Sequence, residues 1–230
     1  GPTLTFSSVG VDDDIHHITS PPDHPNLPYA SLGYAALQRH RRVADGSGQP
    51  RLGGVARSRD GGATWQSVQT NLPGLDIHGF TVDTVDANRV YAYVVGYGIF
   101  GSQDGGSNWT LLSGNLPNST FNLAVGGVPG RLYAAAGQAG LWRSDDDGQT
   151  WATVAGLPAE GVIAVTFEQT NQRLYVSTLG SAAGVSVSDE GEAVWRQVGP
   201  PGTYMAVAVS PLDPNRLMLL DQEGWVYASQ

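Results

Sequence analysis

The sequence contains no cysteine and no lysine. Without cysteine the protein has no disulfide framework, no thiolate nucleophile and no cysteine-ligated zinc, and the redox compartment stays open. No apolar run approaches the roughly 20 residues that span a bilayer, so we expect no membrane span. All twelve basic residues are arginine and the formal net charge is −9, which argues against a nucleic-acid partner.

Glycine and proline are abundant instead, with 31 and 14 residues that separate short apolar runs. This composition is typical of a turn-rich all-β protein. An eight-residue segment, here called the box, occurs in four copies whose first serines are spaced by 44, 42 and 44 residues: 58–65, 102–109, 144–151 and 188–195.

Each box has the chemistry of a hairpin turn. The aspartate side chain can accept hydrogen bonds from the backbone, glycine supplies a positive φ, and tryptophan opens the next strand with a large buried surface. We therefore interpret the box residues as structural and the tryptophans as core: Ser58, Asp60, Gly62, Thr64, Trp65, Ser102, Asp104, Gly106, Trp109, Ser144, Asp146, Gly148, Thr150, Trp151, Ser188 and Trp195.

Four short strands per unit, repeated every 40 to 45 residues, predict a five-bladed β-propeller of four-stranded antiparallel blades. We expect residues 1–230 to form one domain, in which residues 6–9 pair with 225–229 and thereby close the ring. The predicted blades are 10–68, 75–112, 119–154, 160–198, and 203–230 plus 3–9. The alternative is a fragment of a longer propeller.

The boxes resemble the BNR or Asp-box repeat, Ser-x-Asp-x-Gly-x-Thr-Trp. The copies at 58 and 144 match it fully, whereas Asn108 replaces threonine and the copy at 188 keeps only Ser188 and Trp195 securely. Such repeats occur in sialidases, xyloglucan-degrading glycosidases, sortilin-like receptors and photosystem II stability and assembly factors. The spacing of motifs along the chain is most similar to that of the last two groups. This resemblance implies a non-catalytic protein that binds proteins or peptides at the face away from the boxes.

Sialidase activity is not expected, because the chain has no segment resembling Phe-Arg-Ile-Pro near its start. Four arginines recur at one position of the repeat, which blade geometry explains better than carboxylate binding does: Arg89, Arg131, Arg173 and Arg216.

Candidate site residues come from aligning the entrances of the first strands. The alignment places one set at equivalent positions, Asp14, Asp76, Ser119, Glu160 and Gly202, and two residues later a second set, His16, His78, Phe121, Val162 and Tyr204. Asp14, Asp76 and Glu160 are the candidate catalytic acids, since carboxylates in a partly dry funnel have shifted pKa values. The alternative is that the aspartates cap turns and the histidines fill the channel mouth.

An insertion at 36–53 overhangs the same predicted face. Candidate ligand-binding residues there are Arg39, Arg41 and Arg42, which could clamp an anionic group, joined by His16, His78, Tyr34, Tyr97 and Tyr204. A solvated hairpin and ordinary tyrosines at sheet ends are the alternatives. The acids at 12–14 lack calcium-loop spacing, so we expect no metal and no cofactor.

These patterns favour a non-catalytic propeller that holds a peptide, a protein or another extended ligand, including a carbohydrate. The alternatives are a glycoside hydrolase or lyase using the carboxylates at the mouth, and a structural module of a larger chain. We expect an exported monomer, in the periplasm, outside the cell or at its surface. Gly1-Pro2 is typical of tag cleavage, so a missing leader does not count against export.

Overall fold

The computed structural model describes residues 14–19, 29–33, 54–60, 63–64, 66–157, 161–190, 193–210 and 213–229, and for the first two ranges it describes the backbone alone. Predictions that fall on the remaining residues, including the closing strand at 6–9 and the arginine insertion, lie outside the described residues.

The strands form five antiparallel sheets that follow one another along the chain. Sheet 1 contains β1 (Asp14–Thr19), β2 (Tyr29–Gly33), β3 (Gly54–Arg57) and β4 (Gln66–Ser67). Sheet 2 contains β5 (Ile77–Val82), β6 (Val90–Val94), β7 (Gly98–Ser102) and β8 (Thr110–Ser113). Sheet 3 contains β9 (Asn122–Val125), β10 (Leu132–Ala135), β11 (Leu141–Ser144) and β12 (Ala152–Thr153).

Sheet 4 contains β13 (Gly161–Glu168), β14 (Arg173–Leu179), β15 (Gly184–Asp189) and β16 (Arg196–Val198), with a 3-10 turn at Gly180–Ala182. Sheet 5 has three strands within the described residues: β17 (Tyr204–Val209), β18 (Leu217–Asp221) and β19 (Val226–Ala228). The prediction of an all-β chain with four-stranded antiparallel sheets is confirmed.

The core lies between successive sheets. The first strands β1, β5, β9, β13 and β17 pack against one another in chain order, and each gap between sheets holds its own apolar cluster. Between sheets 2 and 3, for example, Tyr93, Ile99 and Leu132 are at most 1% exposed. Each such side chain contributes about 1.5–3 kcal/mol by leaving water, so a sheet depends on its neighbours for stability.

Sheet 5 has two unequal faces. Tyr204, Val207 and Leu219 are buried against sheet 4. The opposite face is also apolar but exposed, with Met218 at 46%, Leu220 at 37% and Val226 at 66%. The cross-strand pairs on this face join small or apolar side chains: Ala208 with Met218, Ala206 with Leu220, Met218 with Ala228, and Leu220 with Val226.

Within the described ranges, no helix has the length and apolar character required to cross a membrane.

Candidate functional site

Each sheet has two ends with different chemistry. In sheet 2, Val94 pairs with Gly98 and with Ile77 at one end, whereas Val90 pairs with Ser102 at the other. The start of the first strand and the turn between the second and third strands therefore share one end, here called the entrance end. The boxes begin at the opposite end, here called the box end.

The first three boxes are closed networks of local hydrogen bonds. Asp104 accepts from the Ser102 hydroxyl at 2.8 Å, from the backbone N–H of Asn108 at 2.8 Å and from its side-chain amide at 2.7 Å. Asp60 and Asp146 make the equivalent contacts to Ser58 and Thr64, and to Ser144 and Thr150. The amide of Asn108 replaces the threonine hydroxyl without loss of the bond.

These bonds favour the ionised aspartates. The hydroxyl of Thr64 lowers the pKa of Asp60 to about 2, and the side-chain amide of Asn108 lowers that of Asp104 to about 2. The Thr150 hydroxyl likewise lowers the pKa of Asp146. Their oxygens are already occupied by the turn, so we assign the boxes to folding and not to ligand binding.

The fourth box uses its acid differently. Glu190 leaves the hairpin and reaches sheet 3, where it accepts from the backbone N–H of Gly127 at 3.1 Å and from the hydroxyl of Tyr133 at 3.1 Å. Sequence analysis treated this box as a weakened copy and missed the contact. The alternation Arg-x-Tyr at 131–133, which also occurs at 89–91 and 173–175, was the available signal.

The same alternation binds a carboxylate in the preceding gap. Arg89 donates to Asp147 of the third box, and the Tyr91 hydroxyl donates to the same carboxylate at 3.1 Å. The recurring arginine position is therefore structural in these two units: Arg131 binds Asp145 at 2.6 Å within its own sheet and lies 3.5 Å from Glu190. Burial raises the pKa of Tyr91 to about 12 and also raises that of Tyr133.

A β-bulge recurs at the entrance end of the first strands. The pairing register shifts between Ile15 and His17, Ile77 and Gly79, Val162 and Ala164, and Tyr204 and Ala206. In sheet 3 the N–H of Phe121 bonds to the carbonyl of Ala135, which also pairs with Asn122. The bulge positions are thus His16, His78, Phe121, Ile163 and Met205.

This register corrects the sequence alignment in the last two sheets. The residues equivalent to His78 are Ile163 and Met205, one position after the predicted Val162 and Tyr204. The residues equivalent to Asp76 are accordingly Gly161 and Thr203, which replace the predicted Glu160 and Gly202. The alignment was wrong by one residue because the bulge leaves no mark in the sequence pattern.

The five positions that lie two residues before a bulge are Asp14, Asp76, Ser119, Gly161 and Thr203, so only two of them carry an acid. Ser119 bonds to the carbonyl of Ala136 at 2.8 Å. A Cβ at Gly161 would lie 2.8 Å from the carbonyl oxygen of Gly137, so this position has no room for a side chain. Glu160 and the side chain of Asp14 lie outside the described part of the structure.

Asp76, His78 and Phe121 are brought together at the entrance end. His78 Nε2 lies 3.2 Å from Asp76 Oδ1, and the imidazole stacks on the Phe121 ring with centroids 6.0 Å apart and planes at 14°. The side chains of His78 and Asp76 are 27% and 41% exposed. Asp76 bonds through its backbone carbonyl to the N–H of Val95, which anchors it to the neighbouring turn.

The surface around this group is apolar. Phe121 is 44% exposed, Tyr97 52% and Leu75 38%, and the Tyr97 ring packs above Gly74, where a Cβ would approach it to 3.2 Å. We call Leu75, Asp76, His78, Tyr97 and Phe121 the entrance patch. Exposed aromatic rings next to polar side chains are a common composition of binding surfaces.

Not every predicted ligand residue belongs to this surface. Tyr204, a predicted ligand-binding residue, is only 3% exposed and donates its hydroxyl to the carbonyl of Pro200, so its side chain does not lie on this surface. For His16 only the backbone is described, and Tyr34, Arg39, Arg41 and Arg42 lie outside the described residues. Among the described side chains, no three of His, Cys, Asp and Glu come close enough together to hold a metal.

No family model and no curated protein match this sequence. Among solved structures, the chain is similar to the GH74 enzyme of Niastella koreensis, with a TM-score of 0.71 and 18% identity over 92% of this chain and 34% of that chain. It is also similar to YCF48 bound to D1 peptide, with a TM-score of 0.59 and 16% identity over 100% of this chain and 69% of that chain.

A chain of the nidogen–laminin complex gives a TM-score of 0.69 at 12% identity, over 90% of this chain and 72% of that chain. The protein spans about a third of the length of the GH74 chain. At these identities the likeness concerns the fold, which is that of a β-propeller.

Proposed function

We propose that the protein is a non-catalytic binding propeller and that its entrance patch holds an extended peptide or protein segment. The observation that carries this proposal is the stack of the half-buried His78 on the exposed ring of Phe121, with Asp76 3.2 Å from His78 and the exposed side chains of Tyr97 and Leu75 at the same end of the sheet. The rings offer apolar area to a side chain, and the free oxygen of Asp76 can accept from a backbone N–H. The solved YCF48 structure, a protein of the same fold, contains a D1 peptide.

The small number of carboxyl groups described at the entrance end favours binding over hydrolysis. A glycosidase places two carboxyl groups across the scissile bond, one of them held protonated. Among the described residues, the aligned entrance positions carry such groups only at Asp14 and Asp76, and Asp76 lies 3.2 Å from His78. Phe121, Ile163 and Met205 occupy the other bulge positions, and these side chains suit contact with apolar groups better than proton transfer.

A selected peptide tests this function. A random peptide library displayed on phage is panned against the protein, and enriched peptides are titrated against the wild type and Phe121→Ala by calorimetry. We expect Phe121→Ala to weaken binding at least about tenfold, as expected when a contacting aromatic ring is lost.

Val85→Ala is the matched control, because Val85 is 90% exposed and lies in the turn after β5, away from the entrance end. Equal affinity of the wild type and Phe121→Ala for every enriched peptide would contradict the proposal, as would a library that yields no enriched peptide.

The second candidate function is glycoside hydrolysis, which the two aspartates at the starts of adjacent first strands and the likeness to GH74 enzymes support. If Asp76 is a general acid or base, Asp76→Asn should lower turnover of a polysaccharide by more than about a hundredfold. A wild type without turnover on a broad polysaccharide panel would remove this candidate.

We also propose the identity of the boxes, the number of blades and the closure of the ring. The boxes resemble the Asp-box repeat, and the five sheets suit a five-bladed ring in which residues 3–9 complete sheet 5. The exposed apolar face of sheet 5 supports closure, because every earlier gap is filled by a neighbouring sheet. An exported monomer is the state in which we expect such a ring to act.

A further inference from the structure

The charges of the described residues are divided unequally between the two ends of the sheets. Every arginine in the described ranges lies within or next to a box, or at the start of a second strand, and therefore toward the box end. At the entrance end, apart from His78, the titratable acidic and basic side chains that the structure describes are three carboxylates: Asp76, Asp221 and Glu223. The described part of the entrance end is therefore negative.

Apolar side chains lie between these carboxylates. The first strands β5, β9, β13 and β17 pack against one another in chain order, so their bulge residues follow one another in the same order. We call Phe121, Ile163 and Met205 the mouth row; Phe121 is 44% exposed and Met205 54%. Asp76 lies at the sheet 2 end of this row and Glu223 at its sheet 5 end. A segment lying along the row would meet apolar surface at its middle and a carboxylate at each end.

Each end of the mouth row combines a carboxylate with an exposed aromatic ring. His78 lies 3.2 Å from Oδ1 of Asp76 and stacks on Phe121, so a single imidazole separates this acid from the phenyl ring. Trp225 is 66% exposed and lies two residues after Glu223, in the turn between β18 and β19. A guanidinium group can stack on an aromatic face and donate hydrogen bonds to a carboxylate, so arginine is the side chain that suits both ends.

We propose that the segment bound at the entrance end is basic, with arginine side chains that meet Asp76 and Glu223 and apolar side chains that contact the mouth row between them. This inference rests on the function proposed above and adds the chemistry of the partner. Complementary charge speeds association and excludes acidic partners. The insertion at 36–53 carries arginines of its own and lies outside the described residues, so an acidic segment is the opposite outcome of the test.

Three phage-displayed peptide pools test this chemistry on the wild-type protein. They share randomised apolar residues at their centre and differ only in the residues on both sides, which are arginine, glutamine or glutamate. The pools are mixed in equal amounts, panned against the immobilised protein and sequenced. We expect arginine-flanked peptides to be recovered at least about tenfold more often than glutamine-flanked ones, because a carboxylate receives them at each end of the mouth row.

The double variant Asp76→Asn with Glu223→Gln should lose this preference, because it removes the charge at both ends of the mouth row. Asp86→Asn with Asp213→Asn is the matched control. Both control aspartates are exposed, lie in turns between first and second strands at the box end and accept from a backbone N–H, at 2.9 and 3.0 Å. The control changes the net charge equally and leaves the entrance end as it is, so we expect it to retain the preference for arginine.

Phe121→Ala separates this inference from the function on which it rests. Recovered peptides that need Phe121 but carry no excess of arginine, or an excess of glutamate, would overturn the basic partner and leave the binding function in place. A preference that the control loses as strongly as the entrance variant would also overturn it, since the net charge of the protein would then be the cause. Failure of every pool to yield a bound peptide would remove both proposals.

Discussion

A single carboxylate organises each of the first three box hairpins. Asp104 accepts hydrogen bonds from one hydroxyl, one backbone N–H and one side-chain amide within the seven residues 102–108, although it is exposed to solvent. Ionised acceptors make stronger hydrogen bonds than neutral ones, so the turn depends on the charge of this group.

Acid should therefore weaken the boxes, and Asp104→Asn tests this at one site. The folded-state pKa of about 2 lies below the value of about 3.9 for an unfolded aspartate, so the stabilisation is present above pH 4 and is lost as the pH falls through about 2. We expect Asp104→Asn to lower the melting temperature at neutral pH and to reduce the loss of stability between about pH 4 and pH 2.

Asp189→Asn is the control, because the Asp189 side chain is 65% exposed and lies 3.4 Å from its partner Arg173. Thermal unfolding of both variants across the acid range measures the difference. An unchanged pH profile for Asp104→Asn would show that the charge of Asp104 is not what holds the hairpin.

Residue-level features were predictable where they repeat and not where they depend on register. The box aspartates could be assigned because serine, glycine and tryptophan surround them at fixed spacing. The entrance residues of sheets 4 and 5 could not, because a bulge shifts the pairing by one residue without changing the apolar pattern. The burial of Tyr204 followed from the same shift.

At the scale of elements, neighbouring sheets are joined by particular side chains as well as by apolar packing. Asn71, in the connection after sheet 1, donates to the carbonyl of Trp109 at 2.6 Å and accepts from its N–H at 2.8 Å. The sequence repeats the same Asn-Leu-Pro motif at 115–117, but the bond at Asn115 is local, because its backbone N–H donates to the hydroxyl of Ser113.

The two asparagines form a matched pair for mutation. Asn71→Ala removes both partners of the Trp109 backbone at a partly buried site, so we expect a loss of about 1–3 kcal/mol in the free energy of unfolding. Asn115→Ala should change it by less than about 0.5 kcal/mol. Urea unfolding of both variants measures the values, and equal effects would mean that the motif acts through turn propensity alone.

The number of strands per unit came from the sequence, because four were expected in each repeat and sheets 1 to 4 each contain four. The bonds between sheets were not foreseen, because nothing in the local pattern of the Asn-Leu-Pro motif shows which copy will face a neighbouring backbone.

At the scale of the whole molecule, the apolar face of sheet 5 poses the question of closure. Sheets 1 to 4 each pair a third strand with a fourth just after a box, as in the pairs Arg57 with Gln66 and Arg143 with Ala152. Applying this register to the last sheet pairs Ala228 with Ser7. A cysteine-free chain allows this pair to be tested directly, because no other thiol competes.

The double variant Ser7→Cys with Ala228→Cys should form a disulfide within one molecule on mild oxidation, since cross-strand neighbours have Cβ atoms about 4.5–5.5 Å apart, close to what a disulfide requires. Ser7→Cys with Glu223→Cys is the control, because Glu223 lies in the turn at the other end of β19. Non-reducing electrophoresis with mass spectrometry separates the outcomes. A bond within the monomer supports the closed five-bladed ring, whereas a bond between two molecules would mean that residues 6–9 of a second copy pair with β19. Absence of any bond, with both thiols reactive in the native protein, would contradict pairing of residues 6–9 with β19.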